Sequence, residues 1–321
     1  MAQLQLFDDA LIDRGRQGSR SSRRNELLDV IELSMVVARR SLEDYSCPKS
    51  CHTFTQPQLL GCLILKTYLK LTYRGIVELL EASDGLYAAI GLSRVPAHTT
   101  LKEFAKRVLS PAMLDQAVAQ LFELLVERGL VVREVAADST GIETSSASVH
   151  FVSRSKKQRK GYVKLSLAVA ATSIVLIAAT LSMGPTNDLV EARDLLWKTT
   201  SRCRADWYFM DRGYDAQWPH TLIAAAGATS FIPPVPRPTK DGPVIKTGVD
   251  RLRCAKHTPY HYGLRWHVES FISGMKRTCG SNLLYNQNLF RSLTFLTPCS
   301  CGGERSESSQ ERGRRVTAVR T

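Results

Sequence analysis

Apolar residues in the first part of the chain recur at helical spacing. Over 25–45, Leu28, Ile31, Leu33, Met35, Val36 and Val37 suggest one amphipathic helix, and 57–70 and 73–82 suggest two more. Thr100-x-x-Glu103 has the form of a capping box and predicts a short helix running through Phe104 and Val108. Ser110-Pro111 predicts another start, with a capping hydroxyl and Pro at the first helical position. Its stripe is Leu114, Val118, Leu121 and Leu125, and Gly129 stands where a C-terminal Gly belongs. Residues 25–129 therefore read as a small all-helical domain. Before it, Arg14, Arg16, Arg20, Arg23 and Arg24 lie among Ser, Gly and Gln, which reads as a mobile basic tail over 1–24.

After Gly129 the apolar runs shorten to strand length. Residues 130–138 predict a strand ending in Asp138-Ser139-Thr140-Gly141. Leu165 to Met183 carries no charge and could in principle span a membrane. However, Ser166, Thr172, Ser173, Thr180 and Ser182 interrupt it, and it divides near Ala171-Thr172-Ser173. A hairpin of two buried strands over 163–183 explains it better, so no membrane partner is expected. A turn cluster, Gly184-Pro185-Thr186-Asn187-Asp188, precedes a helix carrying Leu189, Val190, Ala192, Leu195 and Leu196. A strand at 206–210 ends in Asp211-Arg212-Gly213-Tyr214. A helix at 219–226, a strand at 229–232 and a Pro-rich segment at 233–243 follow. Three strands, a helix, a strand, a helix and a strand predict an α/β domain on a mixed sheet over 130–277.

Composition is that of an ordinary globular protein, with 44% hydrophobic and 23% charged residues. Charge is less ordinary. Forty-three Lys+Arg against thirty Asp+Glu leave +13, which favours a polyanionic partner. Eight cysteines in 321 residues are too dilute for a disulfide framework. Cys47-x3-Cys51 and Cys299-x-Cys301 lack a second pair at zinc-ribbon spacing, so reduced thiols are expected.

Candidate chemistry sits at two strand ends and on one helix. Asp138 and Asp211 each close an apolar strand, and ligands in open α/β sheets gather at such ends. Each could equally cap the turn that follows it. In 261–277, Tyr262, Arg265, Glu269 and Lys276 fall on one helical stripe about 60° wide. That stripe borders an apolar face of Leu264, Val268, Phe271, Ile272 and Met275. Three carboxylates from these places would suit Mg²⁺, which prefers carboxylate and water oxygens. Arg265 and Lys276 would then hold phosphate oxygens, and Tyr262 could hydrogen-bond a phosphate or stack on a base. His267 falls outward on the same wheel and is assigned no metal. Trp218 and Trp266 read as core packing, with stacking on a flipped base as the alternative.

Taken in order, Asp138-Ser139-Thr140, Asp211-Arg212-Gly213-Tyr214 and Tyr262-x2-Arg265-x3-Glu269-x6-Lys276 resemble the three catalytic blocks of DDE transposases from bacterial insertion sequences. The spacing in the third block is similar to the Y-R-E-K signature of insertion-sequence family four. The resemblance spans residues 55–277. It implies a ribonuclease H-like catalytic domain over 130–277, with Asp138 on the first strand, Asp211 on the fourth and Glu269 on a later helix. It implies two Mg²⁺ ions, or Mn²⁺ in their place, held by those three residues. The reaction implied is cleavage of double-stranded DNA at transposon ends and joining of the 3′-hydroxyl to a target. A homodimer in the DNA complex and a bacterial cytoplasmic, nucleoid-associated location are expected with it. Two rivals remain, a nuclease of the same fold without strand joining and a DNA-binding remnant that no longer cuts.

The basic run of Arg154, Lys156, Lys157, Arg159, Lys160 and Lys164 is expected to line a DNA path, or else to be a solvated hairpin flank. The resemblance also implies a β-rich insertion before the glutamate, whereas 233–258 is short and Pro-rich. It stops after Arg277. Residues 302–321 hold three hydrophobic side chains, Val316, Ala318 and Val319, too few to cover a sheet. Residues 278–321 thus read as a largely disordered tail, either natural or left by a frameshift that replaced a C-terminal helix.

Overall fold

The computed structural model describes residues 26–49, 52–142, 162–239, 242–244 and 248–279. The expected tail over 1–24, the basic residues Arg154, Lys156, Lys157, Arg159 and Lys160, and all but the first two residues of 278–321 lie outside the described residues.

Six helices open the described chain: α1 (Glu26–Ser41), α2 (Gln56–Tyr68), α3 (Tyr73–Glu81), α4 (Asp84–Ile90), α5 (His98–Val108) and α6 (Pro111–Glu127). The start of α6 is as expected: Ser110 Oγ accepts from the Met113 amide at 3.2 Å, and Pro111 follows. Helix α5 corrects the capping-box reading. It begins at His98, two residues before Thr100, with no side-chain cap. Thr100 is thus already helical and cannot cap. A reciprocal box forms instead at Thr55 and Gln58, at the head of α2. Helix α4 was not foreseen; seven residues give too few turns for a periodic signal.

Five strands follow: β1 (Glu134–Ile142), β2 (Val163–Ala170), β3 (Val175–Met183), β4 (Trp207–Met210) and β5 (Thr229–Phe231). Helix α7 (Asp188–Arg202) links β3 to β4, and α8 (Gln217–Ala225) links β4 to β5. The sheet order is β3-β2-β1-β4-β5, antiparallel from β3 through β1 and parallel from β1 through β5. This is the ribonuclease H-like arrangement, a mixed sheet preceded by helices. The uncharged stretch 165–183 is indeed two strands, and among the described residues no helix is long and apolar enough to cross a membrane.

The Pro-rich segment holds a small pairing of β6 (Arg237–Thr239) with β7 (Gly242–Val244), then α9 (Val249–Lys256). A buried guanidinium anchors α9: Arg251 Nε and Nη2 donate to the Asp215 carboxylate at 2.6 and 2.7 Å. A 3₁₀ turn, Tyr260–Arg265, leads into α10 (Trp266–Cys279). Tyr262 and Arg265 therefore do not share an α-helix with Glu269 and Lys276, which corrects the single-stripe reading. His267 is also corrected. It is half-buried, and its Nδ1 is hydrogen-bonded to the Ala171 carbonyl, tying α10 to the β2–β3 turn.

One apolar cluster runs from Ile31 of α1 to Met275 of α10, with no break near residue 129. Arg202 at the end of α7 stitches the helical segment to the sheet. It pairs with Asp115 of α6 at 2.7 Å and donates to the Ile177 carbonyl of β3 at 3.0 Å.

Lys164 corrects the basic-run reading. Its side chain is buried beneath the sheet, with Nζ 2.8 Å from Asp188, 2.9 Å from Glu191 and 2.8 Å from the Thr186 carbonyl. Alternation along β2 turns position 164 to the face that α7 covers, and the carboxylates of that helix offset its burial. Burial alone would raise the Glu191 pKa, but hydrogen bonds from Ser182, Thr186 and Lys164 outweigh it and hold the group at about 2.

Two stability measurements follow. Ser110→Ala removes the α6 cap and is expected to cost about 1 kcal/mol in urea unfolding. Glu191→Gln is expected to cost about 1.5–3 kcal/mol at pH 7, because a buried charged hydrogen-bond partner is lost. The folded pKa of Glu191 lies below its unfolded value. Its contribution is thus complete above roughly pH 4.3 and is lost as pH falls toward the folded pKa. The stability gap between wild type and Glu191→Gln should close over that interval; a gap independent of pH contradicts the assignment.

Candidate active site

The site begins with the register of two parallel strands. β1 and β4 pair from Glu134↔Trp207 to Ala137↔Met210, and there the pairing stops. The next residue on each strand is an aspartate, Asp138 and Asp211. Apolar side chains with full burial (Val135, Ala136 and Ala137 against Tyr208, Phe209 and Met210) hold the strands together up to that point. Past it the strands part, so the two carboxylates stand side by side where the sheet opens.

Each aspartate is held differently. Asp138 does not end its strand: β1 continues through Ile142, paired with β2. Its Oδ1 accepts from the Ser139 amide at 2.7 Å. Asp211 does what a capping Asp does. Its Oδ1 accepts from the Gly213 amide at 2.9 Å and opens the 3₁₀ turn Arg212–Tyr214. Capping uses one carboxylate oxygen, so it does not exclude a further role for the group. A Cβ at Gly213 would meet the Asp188 carboxylate, which would have to shift to admit it.

Glu269 arrives from the first turn of α10, and Arg265 joins it to the aspartates. The guanidinium lies 2.8 Å from Glu269 and 3.8 Å from Asp138, with only 13% of its side chain exposed. It also lies over the Trp266 ring at 5.1 Å. Trp266 itself is 61% exposed, so it is not a core residue; Trp218 is, packed at the core edge beneath Arg193. Tyr262 is packed edge-on against Phe209 and Phe231, and its hydroxyl donates to the Met210 carbonyl at 3.3 Å. That contact fixes the 3₁₀ turn to the end of β4, beside Asp211. An open cleft of about 510 Å³ is lined by Asp138, Ser139, Glu269, Ser273, Lys276 and Arg277, among others. The structure thus brings Asp138, Glu269 and Lys276 to one cleft, with Arg265 between the carboxylates and Tyr262 behind.

The electrostatics are those of crowded anions. Burial, then the charges of Asp211 and Glu269, push Asp138 up to about 6 against the opposing Ser139 amide and Arg265. Asp211 is raised by burial first and then by Asp188 and Glu269. Among the described residues, no three His, Cys, Asp or Glu side chains are gathered tightly enough to grip a metal ion as they stand. Their chemistry nevertheless fits one. The donors are hard oxygens, their charge is under-compensated, and the cation now nearest them is a guanidinium.

Two neighbours were not anticipated from sequence, Asp188 and Glu191, and Ser139 and Tyr214 lay within the quoted blocks without a role of their own. Asp188 read as part of a turn cluster, and only the pairing of β1 with β2 brings it within 2.7 Å of Ser139 Oγ.

Residues 133–296, just over half of the chain, match the family described as the transposase DDE domain. No curated protein matches. Among solved structures, a cryo-EM structure of a piggyBac transposase synaptic complex with hairpin DNA aligns with a TM-score of 0.43. Identity is 10% over 85% of this chain and 73% of that one, a likeness too low to add to the topology above. The matched span contains Asp138, Asp211 and Glu269 together with every strand of the sheet, and the chain belongs to the DDE-domain transposases.

Proposed function

We propose that this transposase is of the bacterial insertion-sequence family four type, and that it cuts double-stranded DNA at transposon ends and joins the freed 3′-hydroxyl to a target. The observation that supports this most is the juxtaposition of Asp138 and Asp211 where β1 and β4 part, with Glu269 linked to Asp138 through Arg265. Asp138, Asp211 and Glu269 would hold two Mg²⁺ or Mn²⁺ ions. Such ions, when bound, activate the attacking oxygen and clamp the attacking and leaving oxygens of an in-line phosphoryl displacement.

The chain's own side chains do the remaining work. Arg265 offers a planar fork to phosphate oxygens, and Lys276, across the same cleft, offers a point charge. Tyr262 spends its ring on Phe209 and Phe231 and its hydroxyl on a carbonyl, so its part is to fix the turn carrying Arg265. Phosphate contacts of this kind carry affinity without sequence preference.

Removing Asp138, Asp211 or Glu269 singly, as Asp→Asn or Glu→Gln, is expected to abolish Mg²⁺-dependent cleavage of supercoiled plasmid while leaving DNA retention intact. Wild-type cutting by Glu269→Gln would refute the assignment. Products joined to a target distinguish a transposase from a nuclease that only cuts. Lys276→Ala is expected to weaken DNA binding equally for all sequences. It should also flatten the dependence of log K on log salt by about 0.9, one phosphate contact. An unchanged slope removes Lys276 from the DNA contact.

A further inference from the structure

Beneath the two aspartates, on the opposite face of β1, lies a closed chain of polar groups. Ser139 follows Asp138 and borders the cleft, while its hydroxyl reaches toward Asp188 at the start of α7. Ser139 Oγ donates to Asp188 Oδ1 at 2.7 Å and lies 2.9 Å from the Tyr214 hydroxyl. With its one proton on Asp188, Ser139 accepts from Tyr214. Tyr214 is fully buried and closes the 3₁₀ turn that Asp211 opens. A single serine hydroxyl thereby bonds the strand of one aspartate to the turn of the other.

The chain continues to a cation. Asp188 Oδ1 is 2.8 Å from Lys164 Nζ, whose remaining contacts are Glu191 and the Thr186 carbonyl. An ammonium has three protons, and each has an acceptor here. Glu191 Oε1 in turn accepts from Ser182 and Thr186, both at 2.6 Å. Asp188 Oδ1 is thus committed to Lys164 and Ser139, which makes this oxygen a holder of position. The other Asp188 oxygen packs against Gly213, in the Asp211 turn.

Buried ion pairs of this kind seldom add stability over apolar side chains of equal volume, because desolvation offsets the attraction. What they supply is a fixed arrangement when every member is satisfied. We infer that Tyr214, Ser139, Asp188 and Lys164 form a positioning relay that fixes the spacing of Asp138 and Asp211. This inference rests on the reading of those two aspartates as cation ligands. Lys164 would then act from inside the sheet, through Asp188, and not on DNA. The outer partners of metal ligands are known to set affinity in this way, with losses of about 10–100-fold on mutation.

The test is Mn²⁺ binding to the full chain without DNA, followed by electron paramagnetic resonance of the free ion, alongside thermal melting. Ser139→Ala is expected to weaken Mn²⁺ binding about 10–100-fold. Ser139→Thr, which keeps the hydroxyl, is expected to restore it. Tyr214→Phe, which deletes one oxygen from a fully buried ring, should weaken binding by about tenfold. Wild-type Mn²⁺ affinity in Ser139→Ala and Tyr214→Phe, whatever their melting temperatures, overturns the relay. A loss in Ser139→Thr equal to that in Ser139→Ala overturns it too. Asp138→Ala is the reference. If it binds Mn²⁺ as tightly as wild type, the carboxylate reading itself fails and takes the relay with it. If only Asp138→Ala loses binding, the relay alone is wrong.

Discussion

The parallel pairing of β1 with β4 is the constraint on which the rest depends. Four residue pairs, Glu134↔Trp207 to Ala137↔Met210, fix where each strand can release its next side chain. A slip of one residue would send Asp138 or Asp211 to the far face of the sheet, since side chains alternate. What prevents the slip is volume. Val135, Ala136, Ala137, Tyr208, Phe209 and Met210 are all buried, and a shifted register would exchange their places between the two faces. The geometry of an anionic site is thus enforced by apolar packing a few ångströms away.

Charge then shapes what packing places. The chain is basic overall, yet its cleft concentrates carboxylates, and Asp138 pays for its burial with a pKa near 6. Arg265 is the local compensation, held by Glu269 and aimed by the turn that Tyr262 pins to β4. On the other face of β1, Lys164 neutralises a second pair of carboxylates, Asp188 and Glu191. Two buried or nearly buried cations, one on each face of the sheet, thus offset carboxylates gathered from β1, the turn after β4 and two helices.

Much of this was legible in the sequence, and the reasons for the misses are physical. The strand order followed from run length and β-branching, and the two aspartates from their place after apolar runs. The Y-R-E-K spacing was read as one continuous helix, whereas Tyr262 and Arg265 lie in a 3₁₀ turn and Glu269 and Lys276 in the helix after it. A continuous helix and a 3₁₀ turn leading into a helix keep similar spacing in sequence, and Gly263 with Pro259 just upstream favours the turn. Thr100 was misread because a capping box is a local pattern, whereas the helix start was set two residues earlier. Lys164 was misread because it adjoins a basic run in sequence. Its burial depends on Asp188 and Glu191, partners 24 and 27 residues away that composition cannot reveal. Asp188 itself carried no signal.

The apolar core shows no seam at residue 129, and Arg202 reaches from α7 both to Asp115 of α6 and to the backbone of β3. Boundaries between separable modules lie where few contacts cross. Between these helices and this sheet, apolar packing and an ion pair both cross. A foreign helical head grafted at that point would leave the apolar face of β3 and the Arg202 guanidinium without their partners. The helices and the sheet thus share one core, and neither keeps its packing without the other.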